Sequence, residues 1–458
     1  MIDKKLIKKY NVAGPRYTSY PPANHFKEDF DEKQFVQLLK ESNNKSPQDI
    51  SLYIHIPFCP QICYFCGCNN TILKNDETVK EYIDALLHEI RMVSALLDKK
   101  NRKVTQIHWG GGTPNSISFG YIEEVMSLIQ SEFKISEKAE VAIECNPAYL
   151  ELSDLVRLKQ LGFNRISLGV QDFNPEILKR VNRIPSKYPL EDVYRTAKKA
   201  GFTGVNIDLI YGLPGQTFDD FMKSVERTIS ISPERLVTFS YAHVPWFKSR
   251  QKKLEKHNIP GPDEKLEMLE ASFNRLTQSG YQAIGMDHYA KPSDELYIAL
   301  ENKELHRNFQ GYCTRETTGQ VYAFGITAIS QLTDGYAQNV RSIKDYIQSL
   351  EGNRFPVMRG YQLNRNEKII REVINETMCN HYVDFEQIAE RNHLPAKELM
   401  DIIKFRSDKL QPFIDDGLVE FKDNKLTVNP RGFFLIRNIA MLFDPLLINK
   451  ENQYSKTI

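Results

Sequence analysis

No apolar run in this sequence reaches the roughly 18–20 residues that a membrane-spanning helix needs. The chain also lacks an excess of one charge, because 60 lysine and arginine residues stand against 59 aspartate and glutamate residues. A strong imbalance of charge is what favours a nucleic-acid or membrane surface. We therefore expect a protein that has neither a nucleic-acid partner nor a membrane partner.

The sequence also lacks the features of a disulfide-bonded secreted protein. Its seven cysteines are an odd number, and its first ten residues, MIDKKLIKKY, contain no apolar core of a signal peptide. Because disulfides form in oxidising compartments, we expect reduced thiols and a cytoplasmic location. With 458 residues, the chain has ample length for two or three globular domains.

Four of the seven cysteines lie within ten residues of one another. Cys59, Cys63 and Cys66 have the spacing C-x3-C-x2-C directly after the apolar segment 51–57, and Cys68 follows at once. Three thiolates on one loop can hold three irons of a cubane iron–sulfur cluster and leave the fourth iron open to a small molecule. Structural zinc sites usually combine two C-x2-C pairs from separate places, so zinc is the weaker alternative.

A repeated order of strand, loop and amphipathic helix begins near residue 51. Nearly continuous apolar segments, typical of buried parallel strands, predict six strands at 52–56, 105–109, 141–144, 165–170, 204–210 and 236–241. Gly162-Phe163 and Gly201-Phe202 mark the ends of two intervening helices. This order predicts an α/β fold, either a β/α barrel or an open parallel sheet, with its chemistry at the carboxyl ends of the strands.

Both ends of the chain depart from this order. Residues 1–50 are polar and rich in turns, and we interpret them either as an arm that covers the active site or as a surface segment. Beyond residue 350 the pattern predicts helices at 367–378, 384–391 and 396–416, a hairpin at 419–428 that turns at Asp423-Asn424, and a last helix from about Phe433. The expected domains are therefore the arm (1–50), the barrel (51–350) and a mostly helical, winged-helix-like domain (351–458).

Glycines and polar residues follow several of the predicted strands. The glycines of segment 110–112 leave backbone groups available and allow a ligand to approach closely. Glu144, Gln171 and Asp208 end the third, fourth and fifth strands. Carboxylates and amides bind ribose hydroxyls and ammonium groups, and Arg183 can pair with a carboxylate. As a set, these residues favour a site for a ligand that combines a nucleoside with an amino acid.

The cysteine spacing and these motifs are similar to those of the radical S-adenosylmethionine (SAM) superfamily. Within it, the chain resembles the oxygen-independent coproporphyrinogen III oxidases from about residue 10 to the C-terminal tail. The segments that carry this resemblance are RYTSYP from Arg16, YIHIPFC from Tyr53, CYFCGCN from Cys63, HWGGGTP from His108, NIDLIYGLP from Asn206, GMDH from Gly285, HRNFQGY from His306 and YAQN from Tyr336. The CGCN segment and the arm distinguish this family from its shorter relatives, which act as haem chaperones.

The resemblance implies a partial (β/α)6 radical SAM barrel that holds one [4Fe–4S] cluster on Cys59, Cys63 and Cys66, and two SAM molecules. The first SAM would contact Tyr53, Gly111, Glu144, Ala242 and Ile329. The second would contact Phe65, Gly112, Thr113, Gln171, Arg183 and Asp208.

The implied reaction is the oxidative decarboxylation of two propionate side chains of coproporphyrinogen III to vinyl groups, which gives protoporphyrinogen IX in haem biosynthesis. It needs an electron donor and an acceptor that the sequence does not identify, and we expect the enzyme to be a monomer. By residue type, the candidates for binding the substrate carboxylates are Arg16, His288, His306 and Arg307. Two alternatives remain: a haem-trafficking or haem-degrading radical SAM relative, and a zinc-bound regulator whose C-terminal wing binds nucleic acid.

Overall fold

The structure, a computed structural model, describes residues 4–315 and 319–449 of the chain. The first three residues of the predicted arm and residues 450–458 of the predicted C-terminal domain lie outside this part. The strands are, in chain order, β1 (Ile50–Ile56), β2 (Phe58–Cys59), β3 (Thr71–Ile72), β4 (Val104–Gly111), β5 (Ile135–Cys145), β6 (Arg165–Gln171), β7 (Gly204–Tyr211), β8 (Arg235–Ser240), β9 (Gln282–Gly285), β10 (His288–Ala290), β11 (Leu305–Asn308), β12 (Gly311–Thr314), β13 (Gln320–Phe324), β14 (Ile329–Leu332), β15 (Gly335–Asn339), β16 (Val357–Gln362), β17 (Tyr382–Asp384), β18 (Val419–Lys422) and β19 (Lys425–Val428).

The α-helices of the described residues connect and flank these strands. They are α1 (Lys4–Tyr10), α2 (Glu32–Ser42), α3 (Asp76–Ser94), α4 (Phe119–Glu132), α5 (Leu152–Gln160), α6 (Pro175–Arg180), α7 (Leu190–Ala200), α8 (Phe218–Ile231), α9 (Pro262–Gln278), α10 (Glu295–Glu301), α11 (Ile343–Glu351), α12 (Arg365–Asn380), α13 (Phe385–Arg391), α14 (Ala396–Ile402), α15 (Ser407–Asp415) and α16 (Ile436–Met441). No helix in the described part of the chain is long and apolar enough to cross a bilayer.

Twelve strands form one sheet in the order β16-β15-β14-β13-β1-β4-β5-β6-β7-β8-β10-β9. Strands β1 and β4 to β8 are parallel to one another, and they overlap the six predicted strands. Among the residues described, β16 and β9 each have one neighbour in this sheet, so the barrel stays open. The predicted partial (β/α)6 barrel is confirmed.

Further strands extend the sheet on both sides, and the sequence pattern did not predict them. Strand β13 pairs in parallel with β1, and β14, β15 and β16 continue from it in antiparallel order. On the other side, β10 pairs antiparallel with β8, and β9 with β10. Most of these strands are short and joined by hairpins, so they do not show the alternation with helices that marked the barrel strands.

Glycine ends two of the barrel helices as predicted. Gly162 and Gly201 both have φ of +98°, the left-handed conformation that glycine adopts without strain. The phenylalanine after each glycine, Phe163 or Phe202, is buried and leads into the next strand. These turns set the direction in which α5 and α7 return to the sheet.

The C-terminal region combines helices with a three-stranded sheet in the order β17-β19-β18. The predicted hairpin is present, and Asp423 and Asn424 adopt the two left-handed conformations of its tight turn. The single helix predicted at 396–416 is wrong, because α14 ends before Lys404, which has φ of +49°, and α15 begins at Ser407. The region is winged-helix-like, as predicted.

The N-terminal segment packs against both the C-terminal region and the barrel. The Tyr10 ring lies 4.5 Å from the Phe413 ring, and the Tyr10 hydroxyl donates to Asp416 at 2.6 Å. Leu38 and Leu39 of α2 are buried in the barrel core instead. Residues 11–31 therefore connect the two cores, and the domain boundaries at residues 50 and 350 stay a prediction.

Candidate active site

The cysteine loop follows β1 at the carboxyl end of the barrel strands. Cys59 and Cys63 are buried, Cys66 is partly buried and Cys68 is exposed, and all four are free thiols. A backbone hydrogen bond from Cys66 N to Cys63 O, at 3.2 Å, closes a turn between two of the predicted ligands. The three predicted ligands therefore lie together at the end of the barrel where parallel β/α folds bind their ligands.

Each of the three predicted ligand thiols has a polar side chain beside its sulfur. The contacts are Thr113 Oγ1 with Cys59 Sγ at 3.3 Å, Arg183 Nη1 with Cys63 Sγ at 3.4 Å, and Asn70 Nδ2 with Cys66 Sγ at 3.2 Å. Hydrogen-bond donors and positive charge around sulfur stabilise thiolates and tune the potential of a bound iron–sulfur cluster. These surroundings suit a negatively charged cluster.

Burial and hydrogen bonding shift the pKa values of the thiols in opposite directions. Burial raises the pKa of Cys59 to about 11 and also raises the pKa of Cys63, which Arg183 partly offsets. The hydrogen bond with Cys68 lowers the pKa of Cys66 to about 6. Because metal replaces thiol protons, uptake of a cluster by this loop releases protons.

Three thiols on one loop are the protein ligands that a cubane cluster takes, one thiolate on each of three irons. The cysteine loop therefore fits a [4Fe–4S] cluster. Within the described residues, no three His, Cys, Asp or Glu side chains are grouped as the ligands of a single metal ion.

Two glycines allow the end of β4 to approach the cysteine loop. The Gly112 N–H donates to the Ile56 carbonyl at 2.7 Å, and a Cβ at Gly112 would lie 2.6 Å from the carbonyl carbon of Pro57. Gly111 has φ of +110°, and a Cβ there would lie 2.6 Å from the His55 ring. Side chains at these positions would push β4 away from the loop, so glycine is required for their contact.

Glu144 lies near the end of β5, beside His108 of β4. His108 Nε2 donates to Glu144 Oε1 at 3.0 Å. Burial opposes the ionisation of Glu144, but the hydrogen bond and the charge of His108 outweigh it and lower the pKa of this carboxyl. Despite its own burial, His108 has a raised pKa because Glu144 faces it. Glu144 is therefore ready to bind a cationic group as a carboxylate.

Asp208 lies on β7, within electrostatic reach of Glu144. Asn206 Nδ2 donates to one Asp208 oxygen at 2.7 Å, and Ser167 Oγ donates to the other at 3.1 Å. Burial, and then the negative charge of Glu144, raise the pKa of Asp208 to about 6. A cationic ligand near both carboxylates would relieve their repulsion.

Gln171 and Arg183 lie together over Gly169 of β6. A Cβ at Gly169 would lie 2.9 Å from Gln171 Nε2 and 3.2 Å from Arg183 Nη2, and Arg183 donates to the Gly169 carbonyl. Gln171 has φ of +71°, and its Oε1 is buried without a hydrogen-bond partner in the described part of the chain. Because buried polar atoms normally have partners, this oxygen indicates a place where a ligand supplies a donor.

The other predicted contact residues lie around the same end of the barrel. Gln251 Nε2 donates to the carbonyl of Phe65 at 3.1 Å and to the carbonyl of Ala242 at 3.2 Å, so it joins one residue of each predicted SAM site. The Tyr53 hydroxyl lies 3.2 Å from His55 Nδ1. Ile329 begins β14, which β13 separates from β1.

A cavity runs through the middle of the barrel, and much of its lining is polar. Mostly alternate residues of β4 to β8 line it: Gln106, His108, Glu140, Ala142, Glu144, Arg165, Ser167, Gly204, Asn206, Asp208, Arg235, Val237 and Phe239. The expectation of nearly continuous apolar strands is wrong for this face. The partners His108, Ser167 and Asn206 were missed, although polar residues at every second position were visible in the sequence.

Comparisons with known proteins give the same picture over the whole chain. Two family models match, "Radical SAM superfamily" at residues 53–228 and "HemN C-terminal domain" at residues 363–435. A Synechocystis protein named oxygen-independent coproporphyrinogen III oxidase is 42% identical over 450 residues, which are 98% of this chain and 96% of that protein. An Escherichia coli protein of the same name is 41% identical over 458 residues, which cover 100% of this chain and 98% of the relative.

One solved structure is similar over nearly the full length. It is described as coproporphyrinogen III oxidase (HemN) from Escherichia coli, a radical SAM enzyme. Its TM-score is 0.89 at 39% sequence identity, and the match covers 97% of this chain and 99% of the other. The similarity therefore includes the arm and the C-terminal region as well as the barrel.

Proposed function

This chain belongs to the oxygen-independent coproporphyrinogen III oxidases of the radical SAM superfamily, and on that premise we propose which of its residues bind the cluster and SAM. As a member, it is an oxidoreductase that converts two propionate side chains of coproporphyrinogen III to vinyl groups by oxidative decarboxylation. The product is protoporphyrinogen IX, an intermediate of haem biosynthesis. The comparisons favour this function over a haem-trafficking or haem-degrading relative and over a zinc-bound regulator.

Radical SAM enzymes use a [4Fe–4S] cluster and SAM. A bound cluster would supply the electron for the reductive cleavage of SAM, which would initiate hydrogen abstraction from the substrate. We assign the cluster to Cys59, Cys63 and Cys66. The observation that carries this assignment is the position of the three thiols at the mouth of the barrel, each beside a polar side chain. Cys68 is exposed and interacts with Cys66, so we assign it no iron.

For the SAM bound to the open iron we propose contacts with Tyr53, Gly111, Glu144, Ala242 and Ile329. His108 keeps Glu144 ionised, and a carboxylate there can accept hydrogen bonds from the ammonium group of SAM. Gly111 lets β4 lie against His55, because a side chain at this position would collide with the imidazole ring. Glu144 would thus orient the SAM molecule that is cleaved.

For a second SAM we propose contacts with Phe65, Gly112, Thr113, Gln171, Arg183 and Asp208. The unpaired Gln171 oxygen can accept a hydrogen bond, and Arg183 supplies a guanidinium for a carboxylate. Asp208 lies close enough to Glu144 for its pKa to rise, so a positive charge between them would be stabilised. These three groups match the amino-acid and ribose parts of SAM.

We further propose that the enzyme is a cytoplasmic monomer that exchanges electrons with an external donor and acceptor and binds no nucleic acid. Its formal net charge of +1 at pH 7 supports the last point. Light scattering coupled to size-exclusion chromatography should give the mass of a single chain. The mass of a dimer would contradict this proposal.

Anaerobic reconstitution followed by metal analysis tests the cluster assignment. The wild type should contain about four irons per chain, the content of one cubane cluster. Cys59→Ala, Cys63→Ala and Cys66→Ala should each remove most of the iron, whereas Cys68→Ala serves as the matched control and should keep it. Stoichiometric zinc without iron, or loss of iron in the control alone, would overturn the assignment.

A further inference from the structure

Three arginines meet where the arm passes between the barrel and the C-terminal region, and we call Arg16, Arg307 and Arg437 the arginine cluster. Arg307 Nη1 donates to the Arg16 carbonyl at 3.1 Å. Arg437 donates through Nε to the Pro15 carbonyl at 3.0 Å and through Nη2 to the Gly14 carbonyl at 2.5 Å. Three consecutive carbonyls of the arm thus hold the two guanidinium groups next to each other.

The arginine cluster borders the barrel cavity. The Arg307 guanidinium lies over the Tyr312 ring, 5.2 Å from its centroid, and the Tyr312 ring lies 5.1 Å from the His288 ring. Tyr312 and His288 both line the cavity that contains Glu144 and Asp208. Tyr312 therefore stands between this cavity and the Arg307 guanidinium.

The arginine cluster has an excess of positive charge. The hydrogen bonds to the arm end on carbonyl oxygens, which carry no formal charge. Asp287 is a carboxylate that interacts with all three arginines, and it also lies 2.7 Å from His288 Nδ1. Burial, and then the charges of Arg16 and Arg307, lower the pKa of Arg437 to about 10, as expected where like charges crowd.

Arg307 also has a donor that the described residues leave unused. Its side chain is only 8% exposed, and its Nε is buried without a hydrogen-bond partner in the described part of the chain. A buried charged group with an unpaired donor is costly unless a ligand completes it. The planar guanidinium matches a carboxylate with two parallel hydrogen bonds. Arg16 is exposed, so the cluster is open to an incoming ligand on that side.

We propose that the arginine cluster is a carboxylate subsite for a propionate of coproporphyrinogen III that is not undergoing decarboxylation. Arg307 and Arg16 bind this propionate, and Arg437 is a positioning residue that holds the arm beside them. The inference rests on the proposed function, because it needs a substrate with several propionates. Anchoring one propionate outside the cavity leaves another free to enter it, beside Glu144 and Asp208.

Steady-state kinetics of the anaerobically reconstituted holoenzyme test this subsite. With SAM, a reductant and varied coproporphyrinogen III, Arg307→Gln and Arg16→Gln should raise KM about tenfold or more, because each loses a charge-assisted hydrogen bond. The effect on kcat should be smaller. Arg307→Lys should raise KM less than Arg307→Gln does, since lysine keeps the positive charge. Arg195→Gln is the matched control, because Arg195 is an exposed surface residue, and its KM should equal the wild-type value.

Salt dependence provides a readout that a structural role would not change. The wild-type KM should rise with sodium chloride as ions screen the attraction, and it should rise less steeply in Arg16→Gln. A wild type that fails to convert coproporphyrinogen III would contradict the proposed function. Conversion by the wild type with KM within twofold in both glutamine variants would overturn the subsite alone. If Arg307→Gln does not fold, an unchanged KM and an unchanged salt dependence in Arg16→Gln would overturn the proposed subsite.

Discussion

Glu144 and Asp208 support the binding of two SAM molecules, because each carboxylate accepts a hydrogen bond from a side chain on an adjoining strand. Equilibrium dialysis of the cluster-loaded wild type should find two SAM molecules per chain. Asp208→Ala should weaken one of them by about ten- to a hundredfold, the cost of a charge-assisted hydrogen bond. Asp192→Ala serves as control, because Asp192 pairs with Arg195 on helix α7. A single SAM in the wild type, or unchanged binding in Asp208→Ala, would remove the second site.

Asp208 also links stability to pH. Its pKa in the folded protein is about 6, above its ordinary value of 3.8, so the folded state binds this proton more tightly than the unfolded state. Protonated Asp208 therefore stabilises the folded state fully below pH 4, and this stabilisation is lost as the pH rises through 6. Urea denaturation of the SAM-free protein should therefore show a loss of about 1–3 kcal/mol from this group between pH 4 and pH 7. Asp208→Asn should reduce that loss, and an identical pH dependence in the variant would contradict the explanation.

At the scale of elements, the close contact of β4 with the cysteine loop depends on Gly112. A Cβ at this position would lie 2.6 Å from the Pro57 backbone, so Gly112→Ala should displace the loop and cost about 1–3 kcal/mol of stability. Reconstituted Gly112→Ala should bind much less iron than the wild type. Gly120→Ala in α4 is the control, since a Cβ there meets only Ser118 Oγ at 3.9 Å. Normal iron content in Gly112→Ala would show that the contact is dispensable.

The sequence predicted the elements whose signal is local. The barrel strands stand out as apolar segments separated by helices, and Gly162 and Gly201 mark helix ends by their left-handed conformation. Strands β9, β10 and β13 to β16 were missed because hairpins join short strands without such a rhythm. The break at Lys404 was missed because a lysine, and not a glycine, adopts the left-handed conformation there.

The candidate site was predictable to the same degree. Cysteine spacing and strand-end position pointed to Cys59 and Glu144 without any structure. The partner of Glu144, His108, depends on the register between two strands, which a sequence does not display. Arg437 meets Arg16 only through the packing of the arm on the C-terminal region, so residue type alone did not suggest it.

At the scale of the whole molecule, the arm joins the barrel to the C-terminal region. The Tyr17 hydroxyl donates to Asp444 at 2.9 Å, and the Tyr336 hydroxyl donates to the Tyr20 carbonyl at 3.0 Å. A chain that lacks residues 1–22 should keep its iron and cleave SAM without coupling to substrate, because the cysteine loop and Glu144 remain. If the arm covers the substrate, as we propose, the shortened chain should lose the decarboxylation of coproporphyrinogen III. Full turnover by the shortened chain would show that the arm is not needed to cover it.

We infer that this barrel couples cleavage of SAM to the decarboxylation of coproporphyrinogen III. The most direct test incubates the anaerobic holoenzyme with SAM, a reductant and coproporphyrinogen III, and follows 5′-deoxyadenosine and the tetrapyrrole by mass spectrometry. We predict that the tetrapyrrole loses two CO2 and four hydrogen atoms as protoporphyrinogen IX forms, and that Cys59→Ala abolishes both products. Cleavage of SAM that leaves the mass of coproporphyrinogen III unchanged would contradict the account.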